Sequence, residues 1–486
     1  MRASCGLRMP NSQKADRTLG VALVIPPPQK AGPVWCPNLP LGIAYLTAVL
    51  EKSGHDVTII DCPALGIDHE RLGAKIAALE PSVVGITSLT PMIKSTLLAA
   101  HVTKERSPNT IVILGGPHAT FMDEQILSEN SEVDVVVRGE GEQTIVELAD
   151  AISKSNLKNL NKVAGTTFRK NGKIIRTPNR PFIQNLDELP RPAYDHLPLK
   201  KYRLFGKAIL PIMTSRGCPF RCSYCVSSRM SGIRFRARSP KNVVDEIEWL
   251  RDTHGADAFT FYDDAFTLDI ERALKICEEI KKRKIGLPWD CQTRVDHVSK
   301  EVLAKMREAK CQLVSFGVES GSQKILDAVK KKTTVEQNER AIRLAKEVDL
   351  PVSMSVIIGY PGETTDTLKQ TMDFIRKTEP HYVYLCLATP YPGTELYSLL
   401  KDLGWNMSME WGDYDMETPV FENPLLPNDK LMETRKNFYN DFYSPTYILR
   451  QSLKGNFYSQ IMARTALNYI LWRTKLPKLV PAILRR

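Results

Sequence analysis

The chain alternates short apolar runs with helical patterns, and it does so in two separate blocks. In the first, the strand candidates are VALVI (21–25), DVTIID (56–61), SVVGIT (82–87), TIVILGG (110–116) and VDVVVRG (133–139). Segments such as LGIAYLTAVLEKSG and MIKSTLLAAHVTKERS lie between them with helical spacing. Near-continuous Val/Ile runs mark strands covered on both faces, and intervening helices supply the crossovers that parallel pairing needs. Five such units predict a doubly wound α/β domain over residues 18–155. Ligands of such a sheet bind beyond the carboxyl ends of its strands. The second block has strand candidates at 208–215, 258–264, 289–294, 313–320, 352–359 and 382–390. Six β/α repeats predict an open or closed parallel barrel over 208–425, with reactive residues at the C-terminal strand ends.

Between the blocks, over 156–207, GTTFRKNGKIIRT reads as a hairpin turning at Asn171-Gly172, and LDELPRPAYDHLPL as a Pro-rich linker. A length of 486 residues suits two or three domains, and an apolar share of 43% suits sizeable cores. Residues 1–17 carry Arg2, Arg8, Lys14 and Arg17 without an apolar run, so they read as a disordered start and not as a secretory signal. No stretch reaches the roughly 18 apolar residues of a membrane span. The expected compartment is the cytoplasm, where thiols stay reduced and clustered cysteines suggest a metal before a disulfide.

One cluster stands out: TSRGCPFRCSYCVSSR (214–229), with Cys218, Cys222 and Cys225 in the loop after the first strand of the second block. Three unrelated cysteines at this spacing would be a coincidence. A structural zinc site wants four ligands, and no fourth Cys or His lies nearby. An iron–sulfur cubane is normally held by four thiolates. Three thiolates leave one iron open to a ligand that binds through amino and carboxylate groups.

CxxxCxxC with an aromatic, Tyr224, before the last cysteine resembles the radical S-adenosylmethionine superfamily. FYDDAFT (261–267), FGVESGS (316–322), GYPGET (359–364) and TPYPGTELY (389–397) look like its later strand-end motifs, so the resemblance spans roughly 205–400. It implies a [4Fe-4S] cluster on Cys218, Cys222 and Cys225. The open iron would bind S-adenosylmethionine, whose reductive cleavage gives a 5′-deoxyadenosyl radical. It also implies that Tyr262, Asp263, Asp264 and Glu319 face S-adenosylmethionine and that Arg294 pairs with its carboxylate. The plainer alternatives are that Asp263 and Asp264 cap the next helix and that Glu319 is a loop ion-pair partner. Cys277, Cys291, Cys311 and Cys386 fall inside predicted elements and read as packing residues.

In the first block, Thr87-Ser88-Leu89 ends the third strand and Gly115-Gly116 ends the fourth. A hydroxyl residue, any residue and Leu, followed at this distance by Gly-Gly, is similar to flavodoxin-like cobalamin-binding domains. GEGE (139–142) points the same way. The resemblance implies that Thr87, Leu89, Gly115 and Gly116 make room for the cobalamin tail. The loop 26–42 has no Asp and no His where histidine-ligating domains carry DxHxxG, so no protein histidine is expected on cobalt. His55, His69 and His118 lie elsewhere and read as surface residues. Cys5, Cys36 and Cys62 raise the rival of tRNA-methylthiolating enzymes, but their spacing fits poorly and the C-terminus reads helical.

Eleven Lys/Arg and three Asp/Glu fall in 426–486, which holds +8 of the chain's net charge of +11. Phe442, Tyr443, Tyr447, Phe457, Tyr458, Tyr469 and Trp472 are interleaved with the basic residues. A helical cap on the barrel, a membrane-surface tail and a nucleic-acid contact all use this composition. Nucleic acid is the least favoured partner of the three. The chain thus reads as an enzyme similar to hopanoid methylases, tetraether ring synthases and anaerobic porphyrin cyclases. The expected reaction is cobalamin-dependent C-methylation of a hydrophobic or lipid-like substrate, with radical cyclisation as the alternative. A cobalamin-binding sensor with an inactive cluster domain is the non-enzyme alternative. A small reductant such as ferredoxin or flavodoxin would supply the electron.

Overall fold

The computed structural model describes residues 18–28, 39–154, 157–454 and 457–473. The predicted disordered start, Cys5, Cys36 and the last basic residues from Lys475 onward lie outside these. The first sheet contains β1 (Gly20–Ile25), β2 (Asp56–Asp61), β3 (Val83–Thr87), β4 (Ile111–Gly115), β5 (Val135–Val137), β6 (Thr166–Lys170) and β7 (Lys173–Arg176). Its order is β2-β1-β3-β4-β5-β6-β7, and β1 to β5 are mutually parallel. This is the flavodoxin-like strand order, with its switch point between β1 and β3. Apolar side chains fill both faces, which is why these strands read as unbroken Val/Ile runs. The hairpin β6–β7 continues the sheet antiparallel to β5. Asn171 and Gly172 both take positive φ, 52° and 71°, as a two-residue hairpin turn requires.

The second sheet contains β8 (Arg203–Leu204), β9 (Lys207–Ile212), β12 (Ala258–Phe261), β13 (Trp289–Thr293), β14 (Cys311–Glu319), β15 (Val352–Ile358) and β16 (Tyr382–Leu387). Six strands run parallel in the order β9-β12-β13-β14-β15-β16, with β8 antiparallel at one edge. The sheet therefore stays open, a partial barrel. The two-residue strands β10 (Ser215–Arg216) and β11 (Arg236–Ala237) pair antiparallel and bracket the cysteine loop at its base.

An open sheet leaves the β16 edge unpaired, and unpaired strand edges are a liability. Two C-terminal helices, Asn428–Phe442 and Pro445–Ser452, meet this need, while a third, Phe457–Arg473, packs against β14. The Tyr443 hydroxyl accepts from Val383 N at 3.1 Å and donates to Val383 O at 2.9 Å. Tyr439 accepts from Leu385 N at 2.9 Å, and Tyr447 donates to His381 O at 2.7 Å. Arg435 Nε donates to Leu385 O at 3.1 Å. These tyrosines are thus turned inward, as the cap reading requires. Among the described residues no helix is long and apolar enough to cross a membrane.

Two histidines depart from the surface reading. His55 is buried, and its Nδ1 accepts from Leu19 N at 3.4 Å. His118 is buried edge-on against Trp411, ring centroids 5.1 Å apart, and burial pushes its pKa down to about 4. His69 is half-buried beside Ser95, 3.0 Å from its hydroxyl. Cys277, Cys291 and Cys311 are buried packing residues as expected, while Cys386 is half-buried.

Candidate active site

The cysteine loop begins at Gly217, whose φ of 88° favours glycine. A Cβ there would stand 2.2 Å from Arg234 O, so no other residue fits. Beyond it Cys218 N bonds to Gly232 O at 3.0 Å and Cys225 N to Cys222 O at 3.0 Å. The three thiols are free, half-buried, and face one cavity of 330 Å³ at the C-terminal ends of β13 and β14.

Asp264, Arg294 and Glu319 line this same cavity. Asp264 accepts from Ser227 Oγ at 2.9 Å, and burial holds its carboxyl above the usual range. Arg294 lies 3.5 Å from the Phe220 ring centroid and forms a fork to Asp296 at 2.9 Å on both arms. Glu319 is buried, holds a φ of 65°, and pairs with Lys331 at 2.7 Å. A Cβ on Gly317 would stand 2.7 Å from both Glu319 Oε1 and Lys331 Nζ, so that glycine makes room for the pair.

Two expectations need correction. Asp263 does not reach the cavity. It is fully buried, and its carboxylate accepts from Thr214 N at 2.6 Å, Ser215 N at 3.1 Å and both hydroxyls of these residues. Its work is to fix the end of β9 from which the cysteine loop departs. Tyr262 lines a neighbouring cavity instead. The capping alternative for the two aspartates fails as well, because Asp269 caps the helix Ile270–Lys282. Lys331 was missed: it sits inside a run of three lysines that reads as a solvated patch, yet it alone of the three is buried.

Thr87, Leu89, Gly115 and Gly116 line a second cavity, of 620 Å³, at the carboxyl ends of the first sheet. Gly116 has φ 96°, and a Cβ there would stand 2.8 Å from Ser88 O. The Ser88 hydroxyl donates to Gly115 O at 2.9 Å and accepts from Ala119 N at 3.0 Å. The middle residue of Thr-Ser-Leu therefore pins the two loops together, and Leu89 remains 46% exposed at the cavity. The far wall comes from Arg216, Met230 and Ser231, which flank the cysteines. Arg216 pairs with Glu142 at 2.5 Å and Glu140 at 3.3 Å, so the GEGE segment clasps the base of the cysteine loop. No histidine lines this cavity among the described residues.

The donor sets fit the groups that the resemblance implied. Three convergent free thiols beside a buried carboxylate and a buried ammonium suit a cluster whose open iron takes an amino acid. A glycine-lined, largely apolar slot at the switch point suits a cobalamin tail. The model of the B12 binding domain matches residues 37–149, and that of the Radical SAM superfamily matches residues 212–375. An uncharacterized methyltransferase of Pyrococcus horikoshii is 36% identical over 88% of this chain and 93% of its own length. The chain belongs to the cobalamin-binding radical S-adenosylmethionine enzymes. An anaerobic magnesium-protoporphyrin IX monomethyl ester cyclase of Rubrivivax gelatinosus is 33% identical over 83% of this chain and 73% of its own length. The radical S-adenosylmethionine methyltransferase TsrM from Kitasatospora setae, solved with cobalamin and a [4Fe-4S] cluster, shares the fold: TM-score 0.72 and 19% identity, covering 93% of this chain and 100% of that one. The cofactors of this radical enzyme are accordingly a [4Fe-4S] cluster, S-adenosylmethionine and cobalamin. Together they supply hydrogen abstraction from unactivated carbon and a methyl group to transfer.

Proposed function

We propose that this radical enzyme is a C-methylase of a hydrophobic small molecule, with Cys218, Cys222 and Cys225 holding the cluster. The observation that carries this reading is the shared loop: its cysteines line one cavity, while Arg216, Met230 and Ser231 at its base line the other. In this reading the methyl source and the hydrogen-abstracting site border one segment of the chain. In this reading Asp264 and Glu319 accept the ammonium of S-adenosylmethionine. Arg294 and Lys331, which line the same cavity, are the cations for its carboxylate, with Nε and Nη2 of Arg294 held by Asp296. Thr87, Leu89, Gly115 and Gly116 seat the cobalamin tail, and no histidine reaches cobalt. A small one-electron donor such as ferredoxin or flavodoxin completes the system, which works in the cytoplasm. Leu449 and Leu453, 62% and 78% exposed near Arg450 and Lys454, support a contact with an anionic membrane surface where lipid substrates are found.

The test is an anaerobic incubation of the reconstituted enzyme with S-adenosylmethionine, a reductant, methylcobalamin and lipid extract. The expected result is 5′-deoxyadenosine and a product heavier by one CH2. A product that loses two hydrogens without gaining carbon assigns ring closure instead. Turnover that is indifferent to cobalamin overturns the reading.

A further inference from the structure

The cluster cavity and the cobalamin cavity share no lining residue. A third cavity, of 400 Å³, borders both. It meets the cluster cavity at Ser315, Ser353 and Tyr384, and the cobalamin cavity at Leu39 and Tyr202. Tyr202 is held at that junction by donating its hydroxyl to Asp61. The third cavity runs down the concave side of the open sheet. Its floor is the helix Phe457–Arg473, which contributes Tyr458, Ile461, Met462 and Thr465.

The walls are mainly aromatic and aliphatic, and among the described residues they contain one carboxylate, Asp290 on β13, and no cation. Asp290 accepts from Thr260 Oγ1 at 2.7 Å and from the Tyr458 hydroxyl. Each oxygen thus holds one neutral donor and keeps a lone pair, so the carboxylate is oriented and still able to accept. Burial has raised its pKa to about 6. Asp290 is half-buried, and a carboxylate that keeps free lone pairs in an apolar wall gains from a ligand that donates a hydrogen bond to it. Its link to Tyr458 also ties the floor helix to the sheet.

We propose that this third cavity is the acceptor site, and that Asp290 there selects an apolar molecule bearing one hydrogen-bond-donating group, a hydroxyl or an ammonium, over a carboxylate. This rests on the reading of the chain as a methylase of hydrophobic molecules, and it adds the head-group chemistry and the residue that reads it. A substrate so anchored spans from the floor helix toward the junction where the other two cavities open. Asp290 is a positioning residue here and carries out no chemical step.

The test is direct binding of decanol, decylamine and decanoate to the full-length enzyme loaded with iron and cobalamin, by anaerobic equilibrium dialysis. Wild type is expected to bind decanol and decylamine about tenfold or more tighter than decanoate, as a hydrogen bond to a charged group is worth. Asp290→Asn should bring the three within about threefold of one another. Met462→Trp, which takes up room without touching a hydrogen bond, should weaken all three alike and keeps the test alive if Asp290→Asn fails to load its metals. Equal binding of decanoate by wild type, no binding of any probe, or a preference unchanged by Asp290→Asn overturns the proposal. Metal loading and S-adenosylmethionine cleavage, measured on the same samples, report on the underlying reading: if they fail, that reading fails first.

Discussion

Arg216 and Glu142 join their side chains at 2.5 Å across the seam between the two sheets, with 12% and 7% of each exposed. One residue starts the cysteine loop and the other belongs to the cobalamin-binding domain. Removing one partner of an isolated buried pair costs about 3–5 kcal/mol; Arg216 keeps Glu140 at 3.3 Å, so the loss here is smaller than that. Glu142→Ala should therefore lower the thermal midpoint and the amount of cobalt retained after desalting. An unchanged midpoint with full cobalt retention contradicts the clasp.

Tyr443→Phe should lower stability by about 1–3 kcal/mol, because Val383 loses partners for both its backbone groups at the buried β16 edge. Tyr447→Phe should cost less, since it releases only the carbonyl of His381. Urea unfolding measures both. Turnover per folded molecule should not change in either variant, as these tyrosines face an edge and not a cavity.

Gly116→Ala combines a strained φ of 96° with a Cβ 2.8 Å from Ser88 O. Gly54 has a similar φ of 90° but nothing within 4 Å of a new Cβ. Alanine at Gly54 should thus cost about 1 kcal/mol of strain and leave cobalamin binding intact. Alanine at Gly116 should abolish cobalt retention. Equal behaviour of the two would show that backbone strain, and not the close approach, governs the slot.

Glu363 is fully buried in GYPGET, where it accepts from Gly359 N, and burial raises its pKa to about 7 from an ordinary 4.5. The folded state then binds the proton more tightly than the unfolded chain does. Between about pH 4.5 and 7 the native protein loses stability as pH rises, and the loss is complete above the folded pKa. Glu363→Gln removes this dependence. Its stability relative to wild type should grow from pH 5 to pH 8 in urea unfolding, and a constant difference across that range contradicts the assignment.

Both parallel sheets were legible in the sequence because their strands are covered on both faces and so are written in continuous Val/Ile runs. The cysteine loop and the Thr-Ser-Leu and Gly-Gly pairs were legible because each is local. What escaped depends on direction or on distant partners. Asp263 and Asp264 are neighbours in sequence, but at a strand end consecutive side chains diverge, and only Asp264 meets the cavity. Lys331 is disguised by Lys330 and Lys332, and its burial follows from Glu319, twelve residues away. Tyr439, Tyr443 and Tyr447 recur every four residues on a basic tail, a pattern that suits a membrane equally well. Their inward role appears only once β16 is known to end an open sheet. Asp290 carries no motif; its meaning comes from Tyr458, contributed by the C-terminal helix.

The most direct test of the two-site account is the metal content of the full chain after anaerobic reconstitution with iron, sulfide and hydroxocobalamin, followed by desalting. Wild type should retain about four irons and a single cobalt per chain. Cys222→Ala should lose the iron and S-adenosylmethionine cleavage but keep the cobalt, and Gly116→Ala should do the reverse with the metals. Iron retained by Cys222→Ala, or no cobalt in wild type, would contradict it.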